Sequence, residues 1–187
     1  MYKRLLTTLL IILTPIVLLL LAYFLVLGLT PMTIEQTQTI DFVQKGSELQ
    51  LNYTAKEYSH LEDVQDVMKG VKIVFIVGLL LLFGLVVYSW KDRKRLLKYG
   101  GVSTVVFVGV VLMFSLVAFK YTFTFFHQIF FPQGNWQFAV DSLLIQTFPL
   151  EFFISISRNI FLLTLGLGIL FIVISYLLKH DHKSKRS

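Results

Sequence analysis

Cysteine is absent from this chain of 187 residues, which rules out disulfides, cysteine-based zinc sites and a thiolate nucleophile. Charge is scarce too. Only 15% of residues are Asp, Glu, Lys or Arg, against 56% hydrophobic, and 18 are phenylalanine. A soluble domain of this size carries more polar surface, so the bilayer is the expected solvent. There is no Gly-x-Ser-x-Gly elbow for a serine nucleophile and no Gly-x-x-x-x-Gly-Lys loop to cradle a phosphate. Internal repeats and low-complexity tracts are missing as well.

What is present is four apolar runs, over residues 5–29, 71–90, 102–119 and 160–178. Each has about 18 residues or more, enough at about 1.5 Å per residue to cross about 30 Å of hydrocarbon. The first follows Lys3 and Arg4 as a signal peptide would. Its apolar run is too long and no small-x-small cleavage site follows, so it reads as a retained anchor.

Basic residues set the expected orientation. Two precede the first run, five (Lys91, Arg93, Lys94, Arg95, Lys98) join the second to the third, and four follow the last. Together these are 11 of the chain's 17 Lys and Arg. The positive-inside rule makes their side cytoplasmic. Glu35, Asp41, Glu48, Glu57, Glu62, Asp63, Asp66, Asp141 and Glu151 fall on the other side. The pI near 9.5 then reflects juxtamembrane clusters drawn to anionic lipid, and no nucleic-acid partner is expected.

The predicted fold class is a mainly α membrane protein with both termini cytoplasmic. Transmembrane helices cover 5–29, 71–90, 102–126 and 159–178. A small extracytoplasmic segment fills 30–70, a basic loop 91–101, an aromatic outer loop 127–158 and a basic tail 179–187. Within the outer segment, residues 34–43 and 48–53 favour β-structure around the turn-forming Gln44-Lys45-Gly46-Ser47, which predicts a hairpin. A helix follows, with two candidate capping boxes, Thr54-x-x-Glu57 and Ser59-x-x-Glu62. Val64, Val67, Met68 and Val71 recur at helical spacing, and Gly70 offers a bend before the second span. Pro132 ends the third helix, and Asp141 or Ser142 is placed to cap a short helix holding Leu143 and Leu144.

Two histidines stand out. His60 lies in Glu57-Tyr-Ser-His-Leu-Glu-Asp-Val64, with Glu57 and Asp63 three residues away on either side and so on the same helical face. A carboxylate there can fix the ring tautomer and leave the other nitrogen to take a proton. His127 lies in Phe125-Phe-His-Gln-Ile-Phe-Phe-Pro132, about 37 Å along a helix beginning near Val102. Phe123, Phe126, Phe130 and Phe131 surround it at helical spacing, and such burial favours the neutral imidazole. Each has a plainer reading, as an interfacial histidine satisfied by water or as a member of the aromatic belt. His180 and His182 belong to the charged tail. Ser59 is no partner nucleophile for His60, because adjacent helical residues point about 100° apart.

Other candidates are Asn135 and Trp136, which can offer hydrogen bonds to an oxyanion or merely hold a turn. Arg158 can snorkel to headgroups or grip an anionic ligand, and Lys120 and Glu151 flank the same outer helix ends. A metal-dependent hydrolase using His60, Asp63 and His127 is one rival reading. A non-enzymatic accessory protein whose aromatic loop grips lipid is another.

The Ser59-His-Leu-Glu-Asp-Val64 box, followed by Phe126-His-x-x-Phe-Phe-Pro132 and Gly134-Asn-Trp-x-Phe138, resembles the bacterial lipoprotein intramolecular transacylase family, Lit, over nearly the whole chain. The resemblance implies an acyltransferase of the bacterial cell membrane acting at the outer face. It would move the sn-2 acyl chain of a diacylglyceryl lipoprotein to the α-amino group of that lipoprotein's N-terminal cysteine, leaving a lyso-form product. It also implies that His60 and His127 are the two catalytic histidines, with their division of labour open. Phe123, Phe126 and Phe130 would then line the path of the acyl chains. No metal or other cofactor is expected, and the partners are the lipoprotein substrate and membrane lipid.

Overall fold

The computed structural model describes residues 2–178, apart from the side chains of residues 2–4, 115, 116 and 119; the tail with His180 and His182 lies outside the described residues. All regular structure in it is helical: α1 (Tyr2–Leu29), α2 (Ile34–Lys45), α3 (Ala55–Tyr88), a 3-10 turn (Trp90–Asp92), α4 (Arg93–Phe130), α5 (Leu143–Thr147) and α6 (Leu150–Leu177). Helices α1, α3, α4 and α6 are long and apolar enough to cross a membrane. α4 starts nine residues before the expected Val102, so the basic loop is largely helix.

Lipid tails are as apolar as leucine, so the helices associate through close packing of small residues. Helices α1, α4 and α6 do this. Thr14, Thr104 and Thr164 are buried between them, and each hydroxyl donates to the carbonyl four residues back, at 2.7–2.8 Å. That internal bond removes the cost of a hydroxyl in an apolar contact. Ala22 packs on Ile156 and Ile160. The tightest approach is at Gly101, where a Cβ would stand 2.6 Å from the carbonyl oxygen of Gly168. Gly101→Ala therefore has to part α4 from α6, at about 1–3 kcal/mol. Thermal unfolding of the purified protein should show a lower midpoint for it. Gly109→Ala, with nothing within 4 Å, should unfold like the native chain. An unchanged Gly101→Ala midpoint would mean the contact is not tight.

Helix α3 sits at the edge. It rests on α1, where Gly78 faces Val17, but Ile73, Ile76, Leu80 and Phe83 are exposed on a face suited to lipid. The helix runs unbroken through Gly70.

The expected hairpin is not formed; residues 34–45 are helix α2, and no strand occurs among the described residues. Two local signals override the β-favouring side chains. Thr33 and Gln36 close a capping box at 3.1 and 3.2 Å. Gly46, at φ 71°, ends the helix in the left-handed region and donates to the Phe42 carbonyl. Thr39, Phe42 and Val43, at helical spacing, are then all buried. The alternation at Leu49, Leu51 and Tyr53 produces no strand either. Leu49 and Tyr53 pack onto a core of Phe42, Val43, Leu61, Leu144 and Phe148, which joins α2, the start of α3 and α5 into one small unit.

Candidate functional site

Thr54 caps α3: its backbone N–H donates to Glu57 Oε2 at 2.8 Å, and the Glu57 N–H returns to the Thr54 hydroxyl at 3.3 Å. Ser59 is therefore inside the helix, and its box with Glu62 caps nothing. The first two turns of α3 then hold His60 buried beside Leu61.

His127 arrives on α4. Ala118 leaves helical geometry (φ −144°, ψ 45°), so the turns carrying His127 follow a break in that helix. The two rings meet with centroids 6.3 Å apart and planes 27° from parallel. Phe131 touches both, at 4.8 Å from His60 and 5.6 Å from His127. Phe123, Trp136 and Phe126 flank His127 at 3.9, 4.9 and 5.5 Å, and Phe138 flanks His60 at 5.5 Å. Phe130 packs tilted against Phe126 at 4.7 Å and does not reach His127 through a ring contact of its own among the described residues.

The carboxylates expected to orient His60 do something else. Glu57 is buried and turns away, accepting the backbone N–H of Leu144 at 2.8 Å, 87 residues along the chain. Burial works against its charge. The N–H groups of Leu144 and Thr54 and the hydroxyls of Thr54 and Ser142 outweigh that and hold the carboxyl below its ordinary range. Asp63 accepts from Gln133 at 2.6 Å and from Asn135 at 2.5 Å. Lys56 donates to the Gln137 carbonyl at 2.6 Å. Three residues of α3 thus pin the second outer loop over the histidines, and α5 is capped by Ser142.

His127 Nδ1 lies 2.8 Å from the Phe123 carbonyl. A carbonyl can only accept, so in the neutral ring Nδ1 carries the hydrogen and Nε2 keeps its lone pair. Burial pushes His127 below its usual pKa, against the pull of that carbonyl. Burial also lowers His60, and His127 adds to the effect, to about 4; Asp63 and Asn135 pull the other way. Asn135 stays short of hydrogen-bond geometry, since His60 Nδ1 and Asn135 Oδ1 are both buried and unpartnered among the described residues. Both imidazoles are consequently neutral near pH 7.

Among the described residues, no three His, Asp or Glu side chains gather as a metal would require. The hydrolase reading loses its third ligand, because Asp63 is taken up by Gln133 and Asn135. Arg158 is exposed on α6, where its neighbours Ile156 and Ile160 pack on α1 instead of on the histidines. Sequence reasoning passed over Gln133, and it placed Phe131 beside His127 without its contact to His60. The Pro132 helix stop was the available signal for Phe131, since it fixes the preceding residue at the helix end.

A family model for the lipoprotein intramolecular transacylase Lit matches residues 26–153. No curated protein matches the sequence. The fold is similar to that of the integral membrane transacylase Lit from Bacillus cereus, with TM-score 0.79 and 22% identity over 98% of this chain and 99% of that one. Two variants of that protein also match. One has a histidine replaced by arginine (TM-score 0.78, 19% identity, covering 94% and 91%), and the other has it replaced by alanine (0.77, 20%, 95% and 93%). With the model spanning most of its length, this multi-pass membrane protein belongs to the lipoprotein intramolecular transacylase family, Lit, and is an acyltransferase.

Proposed function

We propose that this chain moves the sn-2 acyl group of a diacylglyceryl lipoprotein onto the α-amino group of the same lipoprotein, with His60 and His127 managing the proton. The observation that carries this reading is the pair of buried imidazoles 6.3 Å apart in an aromatic enclosure. Amine and ester belong to one substrate, so proximity already favours attack and no enzyme nucleophile is needed. The amine nitrogen adds to the ester carbonyl while its proton passes to Nε2 of His127. His60, whose Nδ1 has no fixed acceptor, presents an N–H to the oxyanion. Collapse breaks the ester C–O bond, and the proton goes to the departing glycerol oxygen. One C–N bond forms, one C–O bond breaks and one proton moves from nitrogen to oxygen, so no cofactor is consumed.

In this scheme Asn135 and Trp136 hold the turn beside the rings and Asp63 positions Asn135. Phe123, Phe126 and Phe130 form the wall against which the acyl chains lie, and Arg158 meets headgroups below the site. The histidine end faces outward and the basic end faces the cytoplasm, with both termini inside, in a bacterial cell membrane. Family membership sets aside the accessory-protein reading.

Mass spectrometry of lipoprotein N-termini tests the proposal. Cells making this protein should yield N-acylated lyso-forms, and cells lacking it should retain diacylglyceryl lipoproteins with a free amine. Identical N-termini in both would end it. Asp63→Ala frees the turn at Gln133 and Asn135. Its conversion should fall about 10- to 100-fold, the usual cost of small misplacement, with helical content by circular dichroism unchanged. Native conversion would show that the tether has no catalytic consequence.

A further inference from the structure

At the end of the bundle away from the histidines, α1 and α4 flank an open groove of about 530 Å³. Ile12, Pro15 and Ile16 form one wall and Tyr99, Val106 and Phe107 the other. Tyr99 and Phe107 are eight residues apart, so the groove follows α4 for about 12 Å. Ser103, midway along it between Tyr99 and Phe107, spends its hydroxyl on the Gly100 carbonyl at 2.9 Å. The wall there suits an aliphatic chain and nothing that needs a hydrogen bond.

The mouth is different. Arg95, exposed and one turn before Tyr99, lies with its guanidinium carbon 5.6 Å from the Tyr99 ring centre. Lys91, Lys94 and Lys98 stand within one turn of it, and Asp92 is the single acid between Trp90 and Phe114. An apolar slot inside the membrane, opening onto a cluster of cations, complements a lipid with an acyl chain below and a negative headgroup above. We infer that this groove holds one acyl chain of an anionic glycerophospholipid from the leaflet at the basic end, with its phosphate against Arg95. The site is independent of the acyl-transfer reaction proposed above, which lies at the opposite surface.

The full-length protein, reconstituted in bilayers, can be labelled with phosphatidylglycerol or phosphatidylcholine carrying a diazirine in one acyl chain. Cross-linked residues are then mapped by mass spectrometry. Phosphatidylglycerol should label residues 11–16 and 99–107 about fivefold more than phosphatidylcholine, the discrimination expected of one basic residue near the surface. Arg95→Gln should abolish that preference, and Val106→Trp, which fills the slot, should abolish the labelling itself. The exposed α3 face at Ile73, Ile76, Leu80 and Phe83 serves as the reference for unselective lipid and should be labelled equally by both probes. Equal labelling of the groove by the two lipids, a preference that survives in Arg95→Gln, or groove labelling no greater than that of the α3 face would each overturn the inference.

Discussion

Cells carrying His127→Ala in place of the native chain should accumulate lipoproteins with a free α-amino group and both glycerol esters intact. Loss of a positioned base costs about 10²–10⁴-fold, enough to remove the lyso-form from a growing culture. His60→Ala should do the same for a different reason, by removing the donor to the oxyanion. Neither ring supports the fold through a charge, since burial keeps both neutral, so protein levels should hold. Full conversion in either variant would end the two-histidine scheme.

The same burial gives the reaction a particular pH dependence. With both histidines depressed below 6.5, and His60 to about 4, the rings keep their lone pairs at about pH 7–8, where the amine ionises. A free α-amine has a reference pKa of about 7.7–8.0. The rate should therefore climb with pH up to about 8 along the amine's ionisation, with no break near 6.5. A break near 6.5 in the native profile would show that the rings titrate normally.

Glu57→Ala should be the most damaging change away from the rings. It strands the buried N–H of Leu144 inside the outer unit, at about 1–3 kcal/mol for a buried group left unsatisfied, and removes the carboxylate from the Thr54 cap. It also detaches α5 from α3, so the loop over His60 should become protease-sensitive and conversion should collapse. Glu57→Gln retains an acceptor and should recover part of both. The pH sign follows from the lowered pKa. The folded carboxyl titrates below its ordinary 4.5, so its contribution is complete above that value and drains away as acid approaches the folded pKa. Urea unfolding of native protein and Glu57→Gln at pH 7 and pH 4 should show the difference between them shrinking at pH 4. A constant difference would mean the charge contributes nothing.

The four long helices follow from uninterrupted apolar length, which few side-chain details can disguise. The pairing of His60 with His127 was readable because both motifs fall at the ends of spans. Helix α2 was misread because Ile34, Ile40, Phe42 and Val43 favour strands, while the cap at Thr33 and Gln36 and the glycine stop at Gly46 act on a few backbone groups. Glu57 and Asp63 show a second kind of opacity. Spacing placed them on the face of His60, but spacing along one helix says nothing about a better donor brought in from elsewhere. The Leu144 N–H and the Gln133 and Asn135 amides were such donors.

Phe131, wedged against both imidazoles and only 3% exposed, bears on a choice every acyl carrier faces. A scissile ester can surrender its fatty acid to the solvent as readily as to a nearby nitrogen, and solvent is by far the more abundant acceptor. On the proposed scheme this ring shields the carbonyl on the flank where a hydroxide equivalent would approach. It thereby biases the partition towards an amide and away from a wasted lipid.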